Sequence, residues 1–337
     1  MDFGVVFQTD PPASRVVALS AMAEQQGFGY GWAFDSHVLW EEPFVIFSRM
    51  LEATENMIVG PMVTNPGTRD WTVTASLFAT LNEMSGGRTV CGMGRGDSAL
   101  RYIGKKPRTL ATMAECMDVV KGLVAGNEVD YQGTPLRIPW IEEGWDLPMW
   151  GAGYGPKALT LIGEQCDGFI LQLADPYLVE WTTKFVREKA AEAGRDPDDI
   201  TICVAAPAYV GDDIDHQRDE VRWFGGMVGN HVADIVERYG ASDEVVPDAL
   251  AGYIASRQDY DYGHHGKKGN PSTDYVPNEV IDRFCVLGPV QNHIDRMMEL
   301  RDLGVDQFAI YLMHDDQEAT LQAYGDHVIP TVNTVLA

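Results

Sequence analysis

Residues 57–97 read MIVGPMVTNPGTRDWTVTASLFATLNEMSGGRTVCGMGRGD and contain one complete strand–helix–strand unit. The apolar runs Met57–Val63 and Arg88–Gly94 are short and rich in β-branched residues, which is typical of buried strands. Asp70 predicts the start of the intervening helix and the Ser85–Gly87 run predicts its end. The helical repeat itself lies at Val73, Leu77 and Leu81. This unit predicts a parallel sheet covered by helices.

The same alternation of short apolar runs and helical segments continues along almost the whole chain. With the two runs above, the strand candidates are Asp2–Phe7, Tyr30–Phe34, Met57–Val63, Arg88–Gly94, Pro148–Ala152, Gly168–Gln172, Ile200–Ala205 and Gln307–Leu312. Eight βα units within 337 residues favour an α/β fold consisting of a single (β/α)₈ TIM barrel that spans residues 1–337. An open doubly wound sheet is disfavoured, because the turn Gln8–Pro12 after the first strand contains no glycine.

Residues 207–306 depart from a simple βα unit and form a long insertion between the seventh and eighth strands. Two helices are predicted there, near Val221–Tyr239 and Pro289–Leu303. Between them, Gly252–Tyr275 is rich in glycine and tyrosine and too irregular to belong to the barrel. We expect this segment to be a lid or a subunit contact, with a surface excursion of no function as the alternative.

Composition excludes several classes of protein. Hydrophobic residues make up 45% and charged residues 22%, which is a globular profile. The formal charge of −25 argues against nucleic acid or an anionic membrane as the main partner. Five cysteines without a CxxC pair indicate reduced thiols, and no apolar run reaches about 18 residues. We therefore expect a cytoplasmic protein.

A barrel of this kind carries its active site at the C-terminal ends of its strands. The polar or glycine-rich turns expected there are Asp35-Ser36-His37 with Trp40, Met62-Val63-Thr64-Asn65-Pro66, Gly92–Ser98, Gly151–Pro156 and Gln172. Glycines let backbone N–H groups approach a phosphate at a helix N-terminus, so Gly153, Tyr154 and Gly155 form the best candidate cradle. Tight barrel turns explain the same glycines equally well.

Titratable residues in these turns each have two readings. His37 is a candidate general acid or base, or a hydrogen-bonded loop histidine. Asp97 is a second candidate on a facing turn, or an N-cap of the next helix. The basic group Arg101, Lys105, Lys106 and Arg108 suggests attraction of an anionic ligand tail, or a solvated loop. No metal site is expected, because His264-His265 lacks a third ligand at metal spacing.

Three motifs resemble the luciferase-like oxidoreductase superfamily, and specifically its deazaflavin (coenzyme F420) branch. They are Thr64-Asn65-Pro66-Gly67-Thr68-Arg69, Thr80–Arg88 and Gly92-Met93-Gly94-Arg95-Gly96-Asp97. The chain is similar here to methylene-tetrahydromethanopterin reductases. Gly153–Ala158 with Asp167–Ile170 is a further hallmark, which the FMN enzymes share. The resemblance covers Phe3 to about Ile170 and again Phe284–Pro330.

The resemblance implies a third strand that ends in a bulge with a cis peptide bond at Met62–Val63. It implies cofactor contacts from Asp35, Met62, Val63, Thr64, Asn65, Gly94, Arg95, Asp97, Gly153, Tyr154 and Gly155. Asp97 and His37 are the implied catalytic residues. Relatives usually have adjacent Asp-His, whereas Ser36 intervenes here, so Ser36 is a third catalytic candidate. Candidates for the substrate wall, or alternatively for core packing, are Trp40, Tyr253, Tyr260 and Tyr262.

The implied activity is transfer of a hydride between coenzyme F420 and a small organic substrate. The first alternative is an FMN-dependent monooxygenase that uses oxygen and needs a flavin reductase as partner. The second is a catalytically silent flavin-binding barrel, against which the polar residues of the rim argue. We also expect a homodimer or higher homo-oligomer.

Overall fold

The computed structural model describes residues 1–239, Lys268, Thr273 and residues 276–334, with the backbone alone for residues 230–239. Tyr253, Tyr260 and Tyr262 lie outside the described residues, as do His264-His265 and nearly all of Gly252–Tyr275. The predicted lid therefore stays a prediction.

A closed ring of eight parallel strands forms the centre of the molecule. In chain order the described strands are β1 Asp2–Phe7, β2 Tyr30–Ala33, β3 Ile58–Pro61, β4 Cys91–Met93, β5 Val129–Tyr131, β6 Thr134–Leu136, β7 Met149–Ala152, β8 Gly168–Leu171, β9 Thr201–Val210, β10 Val286–Gly288 and β11 Gln307–Leu312. Three of these strands lie outside the ring: β5 and β6 form an antiparallel hairpin, and β10 pairs with β9. The barrel order is β3-β2-β1-β11-β9-β8-β7-β4. The predicted (β/α)₈ barrel is confirmed, with all eight predicted strands in it.

The ring closes between β3 and β4, where the two backbones approach unusually closely. The amide of Val90 donates to the carbonyl of Val59 at 3.1 Å, and the amide of Thr64 donates to the carbonyl of Gly92 at 2.8 Å. A Cβ atom on Gly60 would lie 2.0 Å from the carbonyl oxygen of Val90. Glycine is therefore required at this position, because any side chain would separate the strands.

Aromatic side chains fill the N-terminal half of the barrel interior. Trp32 packs on Tyr30 with ring centroids 5.9 Å apart, and on Trp150 at 5.3 Å. The indole nitrogen of Trp32 donates to the side-chain oxygen of Gln307 at 3.1 Å. Side chains from three strands thus meet on the axis, so the barrel is a packed core with its free end at the strand C-termini.

Helices cover the outside of the ring. They are α1 Ala13–Gln25, α2 Pro43–Ala53, α3 Trp71–Ser85, α4 Asp97–Tyr102, α5 Leu110–Val124, α6 Pro156–Gln165, α7 Pro176–Glu192, α8 Ile214–Tyr239, α9 Asn278–Phe284, α10 Val290–Asp302, α11 Gln317–Ala323 and α12 Ile329–Thr334. Helix α3 has the predicted ends, with Asp70 accepting from the amide of Thr72 and Gly86 left-handed at φ 73°. Pro289, predicted as a first helical residue, is instead the N-cap of α10.

The structure differs from the prediction mainly around the insertion. Strand β9 continues five residues beyond the predicted end at Ala205, through Pro207 to Val210. A proline is tolerated there because β8 pairs with β9 only as far as Val204. The last residues of β9 pair instead with the unpredicted strand β10. Helix α8 starts at Ile214 rather than near Val221, and the hairpin β5–β6 and helix α9 were not predicted.

All five cysteines are unpaired and buried, as predicted for reduced thiols. Burial raises the pKa of Cys116 and of Cys166 to about 12, so neither thiol ionises near neutral pH.

Among the described helices, none combines the length and the apolar character that a membrane crossing requires.

Two buried histidines attach β9 to neighbouring elements. His293 Nε2 lies 3.2 Å from the carbonyl oxygen of Tyr209, and its Nδ1 lies 2.9 Å from the Tyr324 hydroxyl. His314 Nε2 lies 3.1 Å from the carbonyl oxygen of Ala208, and its Nδ1 accepts from the amide of Asp316 at 3.2 Å. In His314 one nitrogen donates and the other accepts, which only neutral imidazole can do. Burial lowers the pKa of both histidines to about 4.

Acidification from pH 7.5 to 5.0 should therefore destabilise the fold through these two histidines. The unfolded chain binds protons on these two histidines below pH ~6.5, whereas the folded chain does so only near pH 4. We expect each histidine to lower the free energy of unfolding by roughly 2 kcal/mol between pH 7.5 and 5.0. Urea unfolding of wild type and His314→Asn at both pH values measures this. The variant should show a smaller pH-dependent loss, and the exposed-site control His327→Asn should match wild type. Equal losses in all three proteins would contradict the assignment.

Candidate active site

The polar turns predicted for the barrel mouth do meet there. Because the barrel strands are parallel, the turns after β2, β3, β4 and β7 all lie at one end of the ring. The Thr64 hydroxyl donates to Asp35 Oδ2 at 2.6 Å, which joins the turns after β2 and β3. The hydroxyls of Ser36 and Ser98 lie 3.3 Å apart, which joins the turns after β2 and β4.

The turn after β3 contains the predicted cis peptide bond between Met62 and Val63. Met62 is buried, whereas Val63 is partly exposed at the mouth. A Cβ atom on Gly92 would lie 3.2 Å from Val63, and one on Gly94 would lie 2.9 Å from it. Val63 therefore packs directly against the two glycines of β4 and its turn, and it presents an apolar side chain at the rim.

Asp35 is a buried carboxylate held by a cation that the sequence analysis did not single out. Arg69 Nη1 donates to Asp35 Oδ2 at 2.5 Å, and Arg69 Nη2 contacts Glu42 at 2.7 Å. Glu42 also caps α2 by accepting from the amide of Phe44. Burial lowers the pKa of Arg69, but the hydrogen bonds and charges of the two acids outweigh it and leave that pKa raised. The Arg69 guanidinium therefore stays charged and holds the Asp35 side chain in place.

One oxygen of this carboxylate remains available. Within the described part of the chain, Asp35 Oδ1 is buried and has no hydrogen-bond partner. A buried carboxylate oxygen without a donor is costly, and a ligand N–H or O–H at this position would remove that cost.

The three catalytic candidates occupy different environments. Ser36 is buried at 5% exposure against the turn after β4, whereas His37 is exposed on the rim. Asp97 is the first residue of α4 and not its N-cap, which is Gly96. Its carboxylate accepts from Arg101 Nε. This ion pair holds the Asp97 side chain in place, whereas the His37 side chain is exposed to solvent.

The opposite side of the mouth is built on a chain of three polar side chains. The Tyr154 hydroxyl lies 3.3 Å from Gln172 Oε1, and Gln172 Nε2 donates to the Tyr311 hydroxyl at 2.6 Å. Burial and the charge of Asp97 raise the pKa of Tyr154, so its hydroxyl stays protonated. Gly153 and Gly155 flank this tyrosine, and Gly155 is the N-cap of α6. Tyr311 was not predicted, because strand periodicity marks it only as a core position.

Trp40, predicted for the substrate wall or for the core, is 4% exposed and packs on Phe34 with ring centroids 6.1 Å apart. Phe34 also packs on Tyr311 at 5.6 Å. Trp40 therefore lies beneath the rim as part of an aromatic layer that closes the upper barrel interior.

An open cleft of about 430 Å³ adjoins the turn after β3. The sequence patterns did not predict it. It is lined by Pro66–Trp71, Arg108, Thr112, Tyr131 and Gln132. Arg108 lies against Gly67. Its amide donates to the carbonyl of Arg95 at 2.9 Å, and the Arg95 side-chain Nε donates to the carbonyl of Arg108 at 2.6 Å. The exposed basic residues beside it are Arg95, Lys105, Lys106 and Arg108. The cleft thus extends from the mouth toward a cationic surface on an otherwise acidic molecule.

The family model described as luciferase-like monooxygenase matches residues 1–307 of this sequence. The chain belongs to this luciferase-like family. A 5,10-methylenetetrahydromethanopterin reductase from Methanolobus tindarius is 28% identical over 98% of this chain and all of the relative.

Solved structures share the fold of this luciferase-like protein. A coenzyme F420-dependent tetrahydromethanopterin reductase from Methanopyrus kandleri has a TM-score of 0.78 at 23% identity over 98% of both chains. The FMN complex of a type II Baeyer–Villiger monooxygenase component from Pseudomonas putida has a TM-score of 0.70 at 15% identity, again over 98% of both chains.

The Arg69 ion pair gives a test of the site's organisation. Arg69→Met leaves the Asp35 carboxylate buried and unpaired, so we expect the free energy of unfolding to fall by about 3–5 kcal/mol. Arg49→Met removes the exposed pair with Glu52 and should cost less than about 1 kcal/mol. Denaturant unfolding at neutral pH measures both variants. Equal losses would show that Arg69 does not hold the buried carboxylate.

Proposed function

We propose that this chain is an oxidoreductase that binds coenzyme F420 at the barrel mouth and exchanges a hydride with a small organic substrate. The observation that supports the proposal is that three features of the site are neighbours. The apolar surface at Val63, the unpartnered oxygen of Asp35 and the cationic cleft at Arg108 lie side by side along one rim. F420 combines a flat ring, ring N–H groups and an anionic tail in the same way.

The residues present fit such a cofactor. Val63 and Gly94 would contact the face of the ring, and Asp35 Oδ1 would accept a hydrogen bond from a ring N–H. The amides of Gly153 and Gly155, with Arg95, would bind phosphate. When bound, the deazaflavin supplies hydride transfer at its C5 atom. The similarity to a methylenetetrahydromethanopterin reductase along the whole chain supports this reading.

The protein's own contribution would be orientation, exclusion of water and one proton transfer. Asp35 is held in place by Arg69 and Thr64, so it can orient a ligand without rearranging. The aromatic layer of Phe34, Trp40 and Tyr311 keeps water from the barrel interior. His37 would exchange the proton that accompanies the hydride, Asp97 would fix local charge, and Ser36 would position the turn.

The alternative is an FMN-dependent monooxygenase, since an FMN enzyme shares the fold. The cationic surface favours F420, whose tail carries more negative charge than the single phosphate of FMN. We further propose that the protein forms a homodimer and that it resides in a reducing compartment such as the cytoplasm. Exposed apolar side chains on adjacent helices support the dimer, with Val45 on α2 64% exposed and Met84 on α3 61% exposed. The five free thiols support the compartment.

Cofactor choice is tested by titrating the purified protein with F420, with FMN and with a deazaflavin that carries only the ribityl chain. We expect F420 to bind most tightly, with ring fluorescence as the measurement. The double variant Arg95→Gln/Arg108→Gln should weaken F420 binding at least tenfold and leave the tail-free deazaflavin unchanged. The control Arg49→Gln should match wild type. Submicromolar binding of FMN alone would overturn the assignment.

The proton-transfer role is tested by His37→Ala, which should lower kcat by about 100-fold or more with unchanged F420 affinity. Ser36→Ala should cost less, because a serine that only positions the turn transfers no proton. Rates are followed by deazaflavin fluorescence with a substrate that wild type turns over. The control His327→Ala replaces another exposed histidine, far along the chain. Full activity of His37→Ala would exclude this histidine and leave Asp97 and Ser36 to be tested in the same assay.

A further inference from the structure

Tyr311 is placed at the mouth by the alternation of side chains along β11. Gln307 begins this strand and faces the barrel interior, where it accepts from Trp32. Side chains two and four residues along a strand lie on the same face, so Tyr311 also faces the interior. It lies near the C-terminal end of β11, beside Phe34 at the end of β2. In the barrel order, β11 lies three strands from β3, whose turn holds Val63.

The hydroxyl hydrogen of Tyr311 is available as a hydrogen-bond donor. Gln172 Nε2 donates to the Tyr311 oxygen at 2.6 Å, so the oxygen acts as the acceptor in that contact. The hydroxyl hydrogen has no acceptor among the described residues, although the side chain is only 1% exposed. Burial raises the pKa of Tyr311 far above neutrality, so the hydrogen stays on the oxygen.

A second buried donor lies on the neighbouring ring. Trp223 of α8 packs edge-to-face on Tyr311, with ring centroids 6.2 Å apart. Its indole N–H is buried and has no hydrogen-bond partner in the part of the chain that is described. Helix α8 follows the C-terminal end of β9, which brings Trp223 and Phe224 over the mouth.

Two unpartnered donors on contacting rings are unfavourable in a protein that binds nothing there, because each buried N–H or O–H without an acceptor costs free energy. An acceptor supplied by a ligand removes that cost. The surrounding wall is aromatic, with Phe34 and Phe224 both packed on Tyr311. A buried charge would be poorly solvated against these rings, so the wall suits an uncharged ligand.

We infer that Tyr311 and Trp223 donate hydrogen bonds to the substrate, which is an uncharged, flat organic molecule with a carbonyl oxygen or imine nitrogen. This inference rests on the proposed function and names the substrate class for it. A carbon bound to such an acceptor is the one that takes a hydride. Donors aimed at the heteroatom stabilise the negative charge that develops there during transfer. Gln172 is a positioning residue, because it orients the Tyr311 hydroxyl.

The test compares pairs of probes that differ only at the acceptor. Acetophenone and α-methylstyrene have nearly the same shape, as do cyclohexanone and methylenecyclohexane, and only the ketones accept hydrogen bonds. Calorimetric titration measures their binding to wild type, Tyr311→Phe, Trp223→Phe and the control Tyr30→Phe. Tyr30 lies in the same barrel at the N-terminal end of β2, so its variant also removes a tyrosine hydroxyl.

Wild type and Tyr30→Phe should bind at least one ketone about fivefold or more tightly than its hydrocarbon partner. Tyr311→Phe and Trp223→Phe should each reduce that preference about fivefold, with little change for the hydrocarbons. If Tyr311→Phe does not fold, Trp223→Phe alone decides the question. Absence of any ketone preference in wild type, or a preference that survives in both variants, would overturn the inference.

Each titration is performed with F420-saturated protein and repeated without the cofactor. Failure of F420 to bind would refute the proposed cofactor and still leave the ketone preference measurable. Loss of the ketone preference with normal F420 binding would refute the substrate class alone. The two failures are therefore distinguishable.

Discussion

The close approach of β3 to β4 is the constraint on which the rest of the mouth depends. Gly60 allows a carbonyl oxygen to occupy the place of a Cβ atom, and Gly92 does the same for the carbonyl of Pro61. With these glycines the eight strands close into a ring, and the turns after β3 and β4 interlock through the backbones of Thr64 and Gly94. Val63 is held against the glycine face by this closure. A larger residue at either position would separate the strands and remove the surface.

The buried charge of Asp35 requires specific polar residues around it. A carboxylate in this position is tolerable only with a cation and hydrogen-bond donors close by. Arg69 and Thr64 supply them, and Glu42 holds the far side of the guanidinium. The ion pair thereby links the turn after β3 to the start of α2. Among the described residues, no donor reaches the second oxygen of this carboxylate, Oδ1.

The two sides of the mouth carry different kinds of side chain. The side of β2, β3 and β4 carries the charged groups, the apolar surface and the cationic cleft, which together suit a flat cofactor with an anionic tail. The side of β8, β9 and β11 carries neutral donors in an aromatic wall. A hydride must pass between two flat partners held face to face, and an arrangement with one wall for each partner meets that need. The insertion 207–306 contributes to the second wall through the contact of Trp223 with Tyr311.

The sequence by itself determined the (β/α)₈ fold, its eight barrel strands, the ends of α3 and the identity of the turns at the mouth. These features follow from local rules, since periodicity, capping residues and glycines act over a few neighbouring positions. The same rules could not find strand β10 or the extension of β9, because a strand's length depends on which partner lies beside it.

Only the tertiary structure decided which side chains act together. Arg69 and Asp35 are 34 positions apart, and Gln172 and Tyr311 are 139 apart. No pattern of neighbouring residues encodes pairs at such separations. Ser36 and His37 differ by one position, yet one is buried and the other is exposed. The physical reason is the same in each case: a side chain's partners are set by the closure of the barrel, which brings distant strand ends to one rim.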